Sequence, residues 1–266
     1  MNIIIVTTDE PFYLPLTIQK LLETPAVKDI KRIILLPPTS TKRTWKTIIE
    51  EQLRFGIIYF IYRASQYIIF KLLSKFNLKL FGRYYSVYTV AKTYNIPVTK
   101  IDNINSQFAL KLITEDSPDL IVSISASQIF SKKIIETARY ATINVHNAPL
   151  PKYQGLMPSF WILYHNEPET ATTVHIMDEK IDSGDIILQK KVPISKDETL
   201  DSLIKKTKLL TVDALLAAFD LFKKYDGKPP TIPNLSEHAT YFGFPQKNDI
   251  KVFKKSGRKL LWKGIY

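Results

Sequence analysis

Cysteine is absent from the 266 residues, which excludes disulfides, thiolate catalysis and cysteine-based zinc sites together. Histidine is nearly as scarce. Only His146, His165, His175 and His238 occur, so imidazole chemistry has four places to be and a His-rich metal cluster is not expected. There are eight glycines, with no G-x-G-x-x-G after the first apolar run and no G-x-x-x-x-G-K-[ST] anywhere. The backbone cradles of a dinucleotide-dependent dehydrogenase or a P-loop kinase are therefore missing. No G-x-S-x-G elbow is present either, which weakens a hydrolase reading of the nucleophile-elbow type.

Acidic residues are also under-represented, 25 against 37 Lys and Arg, for a net charge of +12. The imbalance is clustered. From Gln52 to Ile101 there is no Asp or Glu, while Arg54, Arg63, Lys71, Lys75, Lys79, Arg83, Lys92 and Lys100 are present. A second group, Lys247, Lys251, Lys254, Lys255, Arg258, Lys259 and Lys263, faces a single Asp249. Such fields attract polyanions without saying which. Long uninterrupted apolar runs are missing too. Arg63 and Lys71 break the aromatic stretch at about 52–92 too often for a bilayer span. The opening MNIIIVTTDEP has neither the charged start nor the long apolar middle of a signal peptide, so a cytoplasmic location is the default expectation.

What remains is an ordinary globular balance, 45% apolar and 23% charged, enough for one large core. Asn2–Thr7 and Arg32–Leu36 are short β-branched runs of the kind buried on both sheet faces. Pro97–Ile101, Asp119–Ser125 and Thr142–Val145 read as further strands, with helices expected near Pro15–Glu23, Asn105–Ile113 and Lys132–Arg139. This alternation predicts an α/β fold with a doubly wound, mostly parallel sheet, whose ligands bind beyond the carboxyl ends of the strands. Thr172–Met177 and Ile186–Val192 are expected to be strands around the turn Asp182–Asp185, and Thr199–Tyr225 a core-packing helix. We divide the chain at that helix's end, into a domain over 1–225 and a short basic extension over 226–266.

The chemistry concentrates between Asn144 and Asp185. Asn144 and His146 are two apart on a strand and so share a face. Pro149 and Pro151 stiffen the loop that follows, and Gly155 permits a tight turn. An amide donor beside an imidazole at a strand end suits acyl transfer, which must stabilise an oxyanion and move a proton. A carboxylate to orient that imidazole is available in Asp182 where the turn of IDSGDIIL returns to the same sheet end; taken by itself, Asp182 reads as a turn residue.

The segments INVHNAPLPKYQG and VHIMDEKIDSGDIILQ resemble the formyltransferases that use 10-formyltetrahydrofolate. These carry an Asn-x-His pair, an L-P-K/R-Y-x-G loop and an Asp in an x-D-x-G turn. The resemblance covers roughly Asp119 to Phe222 and implies a Rossmann-like fold with 10-formyltetrahydrofolate as formyl donor and no metal. It implies roles as well: Asn144 as oxyanion donor, His146 as acid/base, and Asp182 orienting His146, directly or through a water. Gln128, Ile129, Phe130, Asp178 and Gly184 become candidates for the pterin site. Lys152, Tyr153, Gln154 and Trp161 are candidates for the acceptor by position, and His175 is read as a strand residue near the site, not a catalyst.

A nucleotide-linked amino sugar is the expected acceptor. The roughly forty residues after Tyr225 are too few for the C-terminal barrel of the methionyl-tRNA enzymes, so tRNA is the less favoured partner. Hydrolysis of the donor, with water in place of the amine, is a further alternative. A non-catalytic membrane or nucleic-acid binder on this scaffold is another. The basic aromatic segment at 52–92 is expected to be helical, as a cover on the sheet, a homodimer contact or a peripheral membrane surface.

Overall fold

The computed structural model describes residues 1–38 and 44–261. Lys263, counted above with the basic C-terminus, lies outside the described residues.

The chain alternates strand and helix from the start. Strand β1 (Ile3–Thr8) leads into helix α1 (Leu14–Leu22), and β2 (Ile30–Leu36) into a pair of helices, α2 (Trp45–Arg54) and α3 (Ile57–Lys75). Then follow α4 (Val87–Thr93), β3 (Val98–Lys100), α5 (Gln107–Asp116), β4 (Leu120–Ile124), α6 (Lys132–Ile135) and β5 (Ala141–His146). The second half carries β6 (Gln154–Gly155), α7 (Pro158–Tyr164), β7 (Glu169–Ile176), β8 (Ile186–Pro193) and α8 (Leu200–Tyr225). Strand β9 (Tyr241–Phe242) and helix α9 (Lys247–Lys255) complete it.

Seven strands form one sheet in the order β3-β2-β1-β4-β5-β7-β8. The first five are parallel, and β7 and β8 close the edge antiparallel. Alternation along β1 explains the two layers. Ile3 and Ile5 face the cluster built with α1, α4 and α8, while Ile4 and Val6 face the one built with α5 and α6. The chain reverses its direction of travel across the sheet between β1 and β4, and crevices for ligands open at such switch points.

The aromatic segment is not one helix. Gly56, at φ +111, turns α2 into α3, and Phe55 at that corner is fully buried in a third cluster with Phe160 and Phe253. A bridge between Leu80 and Arg83 then separates α3 from α4. Helix α6 is shorter than the expected Lys132–Arg139, because the chain turns at Glu136 to enter β5.

The segment after Tyr225 packs back on the rest. Strand β9 pairs with β6, and Ile250 and Phe253 of α9 enter the third cluster. Gly155 makes that pairing possible. Its φ is +93, and a Cβ there would lie 2.4 Å from the Phe242 carbonyl oxygen. Gly155→Ala should therefore cost about 2–4 kcal/mol in strain and overpacking, seen as a lower urea midpoint at unchanged m-value.

Candidate active site

Strand β5 delivers its last residues to the carboxyl edge of the sheet, and β7 runs antiparallel beside it with Asn144 opposite His175 and His146 opposite Thr173. That register brings two imidazoles and an amide to one face. The β7–β8 turn folds Asp182 over them, with φ +52. Gly184 allows the fold, since a Cβ there would meet the Ile176 carbonyl oxygen at 2.0 Å.

The Asp182 carboxylate is the hub. Its Oδ2 lies 3.4 Å from His146 Nδ1 and accepts the Gly155 backbone N–H at 2.9 Å. Its Oδ1 lies 3.4 Å from Asn144 Nδ2 and 3.7 Å from His175 Nε2. The opposite side of the His146 ring donates from Nε2 to the Tyr153 carbonyl at 2.7 Å. In the neutral ring that bond uses the only N–H, so Nδ1 carries the lone pair and is the atom that takes a proton. Once protonated it forms a charged pair with Asp182. Burial lowers the pKa of His146 below the ordinary imidazole value, against the upward pull of Asp182 and the Tyr153 carbonyl; His175 and Lys208 add to the lowering. For Asp182 burial pushes upward, but the charge of His146, the neighbouring His175 and the Gly155 N–H hold it below the ordinary carboxylate value.

Asn144 is held from one side. Its Nδ2 lies 3.1 Å from His175 Nε2, and His175 Nδ1 faces the Ile176 carbonyl at 2.8 Å. His175 thus donates through Nδ1 and accepts one Asn144 N–H through Nε2. The other Asn144 N–H makes only the long contact to Asp182 and remains available to an oxygen in the cleft.

The neighbouring residues sort differently from the sequence expectation. Among the acceptor candidates, Lys152 is exposed and Gln154 donates to the Asp182 carbonyl at 3.1 Å. The Tyr153 ring is buried away from the cleft, bonded to Glu167 at 2.6 Å, so its part in the site is its carbonyl. Trp161 is corrected outright. It packs on Phe242 and donates to the Gly243 carbonyl at 3.0 Å, because α7 turns that face into the third cluster.

Among the pterin candidates, Phe130 is a core side chain beside Ile134, whereas Ile129 is 61% exposed. Gln128 braces its loop, accepting from the Ile104 N–H and donating to the Asp102 carbonyl. Asp178 caps the β7–β8 turn by accepting from Lys180 N–H and Ser183 Oγ. His165 and His238 are exposed.

Two residues of the site carry no motif. Lys208, half-buried on α8, donates to Ser125 Oγ at 2.5 Å, at the carboxyl end of β4 beside the switch point. Burial pushes its ammonium down to about 8, against the raising charge of Glu10. Asn234 donates to the carbonyls of Asp182 and Gly184, at 2.9 and 3.1 Å, which pins the turn. Its own Oδ1 is buried and has no partner among the described residues.

Fold and site together define a doubly wound α/β protein whose amide, imidazole and carboxylate converge at a strand's carboxyl end. Residues 84–219, more than half of the chain, match the family described as formyl transferase, and the chain belongs to that family. A methionyl-tRNA formyltransferase from Syntrophus aciditrophicus (strain SB) is 36% identical over 150 residues, 56% of this chain and 48% of that protein. The chain thus spans about half the length of the curated relatives it matches. A sugar N-formyltransferase structure from Shewanella sp FDAARGOS_354 superposes with TM-score 0.56 at 20% identity, covering 91% of this chain and 76% of the other. An N-formyltransferase from Helicobacter canadensis, in complex with folinic acid and dTDP-3-aminofucose, gives 0.57 at 16% identity, covering 99% and 85%. These two likenesses are of fold.

Proposed function

We propose that this chain transfers a formyl group from 10-formyltetrahydrofolate to a primary amine, that of a nucleotide-linked amino sugar. The observation that carries the reading is the clasp of Asn144, His146 and Asp182, in which Asp182 lies 3.4 Å from each of the other two. The donor supplies an activated formyl carbon, at which the amine nitrogen replaces N10 of the folate. Asn144 turns the N–H that makes the long contact to Asp182 toward the carbonyl oxygen as negative charge gathers there. His146 Nδ1 takes the proton that the attacking amine loses and returns it to the departing N10, so the products are a formamide and tetrahydrofolate. Asp182 compensates the imidazolium between those two transfers, and His175 holds Asn144 in place.

Two residues support a donor and acceptor site here. Asn234 Oδ1, without a partner among the described residues, is an acceptor suited to the N–H groups of a pterin ring. Lys208, at the carboxyl end of β4, is a cation suited to a diphosphate. Lys208→Met should raise the acceptor KM by about tenfold or more while kcat changes less, the loss of one charged hydrogen bond. In the native protein the same KM should climb as pH rises through about 8. A flat KM between pH 7 and 9 would remove Lys208 from acceptor binding.

Catalysis requires neutral His146, whose pKa lies below the ordinary imidazole value. The acid limb of kcat/KM should therefore fall below about pH 6.5, the unperturbed imidazole midpoint. An acid limb above that midpoint would assign the base elsewhere.

Methionyl-tRNA is the second reading, favoured by the 36% identical relative. Tetrahydrofolate release, followed with UDP- and dTDP-linked amino sugars, methionyl-tRNA or no amine, separates the two. Turnover with an amino sugar alone is the expected result, and turnover with methionyl-tRNA alone would replace the sugar reading.

A further inference from the structure

The outer face of α3 is apolar and open. Ile57, Ile61, Ile68, Ile69, Leu72 and Phe76 are each between 52% and 65% exposed. Their spacing follows the helical period, so they make one stripe, about 28 Å long for a helix of this length. Phe81, in the turn beyond the helix, is a further apolar side chain at 90% exposure. Apolar patches of this extent on a protein surface mark contact with a partner or a membrane.

The charge carried by α3 itself and the turn after it has one sign. At 3.6 residues per turn, Lys71 and Lys75 fall along one edge of it, and Lys79 follows the helix. Arg63 turns inward to Asp201 at 3.1 Å and takes no part. The run from Gln52 to Ile101 has no acidic residue to answer these cations. A second copy meeting this face about a two-fold axis would bring like charge against like charge. An anionic bilayer supplies the opposite charge and an apolar layer beneath it. Among the described residues no helix is long and apolar enough to cross a membrane.

We propose that α3 and the turn after it lie in the headgroup plane of an anionic lipid bilayer, apolar stripe downward. A cavity of about 780 Å³ lies between the α2–α3 pair and the carboxyl ends of the strands, next to that face. Ile68 and Lys71 belong both to its lining and to the docking region.

Flotation of the full chain tests this, using vesicles of phosphatidylcholine alone or mixed with phosphatidylglycerol, at low and high salt. Two variants accompany the native protein, Ile61→Gln with Ile68→Gln, and Lys71→Glu with Lys75→Glu and Lys79→Glu. The Ile61 and Ile68 side chains are about 60% exposed, so the native circular dichroism should be kept. The native chain should float with the mixed vesicles about tenfold more than with phosphatidylcholine, and each variant should lose about tenfold. Trp45, 60% exposed near the same region, should shift its emission to the blue on binding. The proposal fails if the native chain stays unbound to mixed vesicles at low salt. It fails equally if both variants float as the native chain does, or if light scattering shows a dimer that the isoleucine variant breaks while nothing floats.

Discussion

His146→Ala should lower kcat for formyl transfer by about 10³-fold, within the range that a positioned proton-transfer group contributes. The loss has two parts. Nothing remains at Nδ1 to take the proton from the attacking amine, and the charge of Asp182 loses the imidazolium it faces at 3.4 Å. The donor KM should move far less, because the ring's other nitrogen is spent on the Tyr153 carbonyl and not on a ligand. Folding should survive at a cost of about 1–3 kcal/mol, since that carbonyl is left without its donor. Single-turnover rates beside a urea titration separate the two effects. A kcat within threefold of native, a margin well below what such a group contributes, would show that another group moves the proton.

The second large effect is expected of Asp182→Asn, at about 10²–10³-fold in kcat. Asparagine tolerates the left-handed backbone at φ +52, so the turn should persist. What disappears is the negative charge. The new amide presents either an N–H to the Gly155 N–H or a neutral oxygen to the imidazolium, and neither restores the native arrangement. Stability carries an independent signature. Asp182 titrates below the ordinary carboxylate value in the folded chain. Its stabilisation is therefore present above about pH 3.9, the unfolded value, and is lost as pH falls through the folded one. The difference in unfolding free energy between native and variant should shrink on acidification below pH 4. A difference that is flat from pH 7 to 3 would mean that the charge of Asp182 does not couple to the fold.

These residues were legible at very different depths. The parallel strands were plain because β-branched runs buried on both faces are written locally, and β1, β2, β4 and β5 lie where Ile, Leu and Val cluster. Asn144 and His146 share a face by strand period alone. Bringing Asp182 to them required only that the β7–β8 turn return to the same edge. His175 needed more. Its contact with Asn144 exists because β7 pairs antiparallel with β5 in one register, which no local pattern announces. Lys208 and Asn234 reach the site from α8 and from the segment after it, through tertiary packing that leaves no spacing signal. Trp161 misled for the opposite reason. It is close to the motif in sequence, but a helix of seven residues turns it into the core. The basic aromatic segment holds α3 with parts of α2 and α4, and the corner at Phe55 and Gly56 depends on a cluster assembled from α7 and α9.

Transfer of a ¹³C-labelled formyl group, followed by NMR in the presence of a nucleotide-linked amino sugar, tests the central claim most directly. With the native chain the label should leave the folate and reappear as a formamide carbon on the sugar, and with His146→Ala it should stay on the folate over the same interval. Label released as formate at the same rate with or without the amine would contradict the claim, as would label that never leaves the donor.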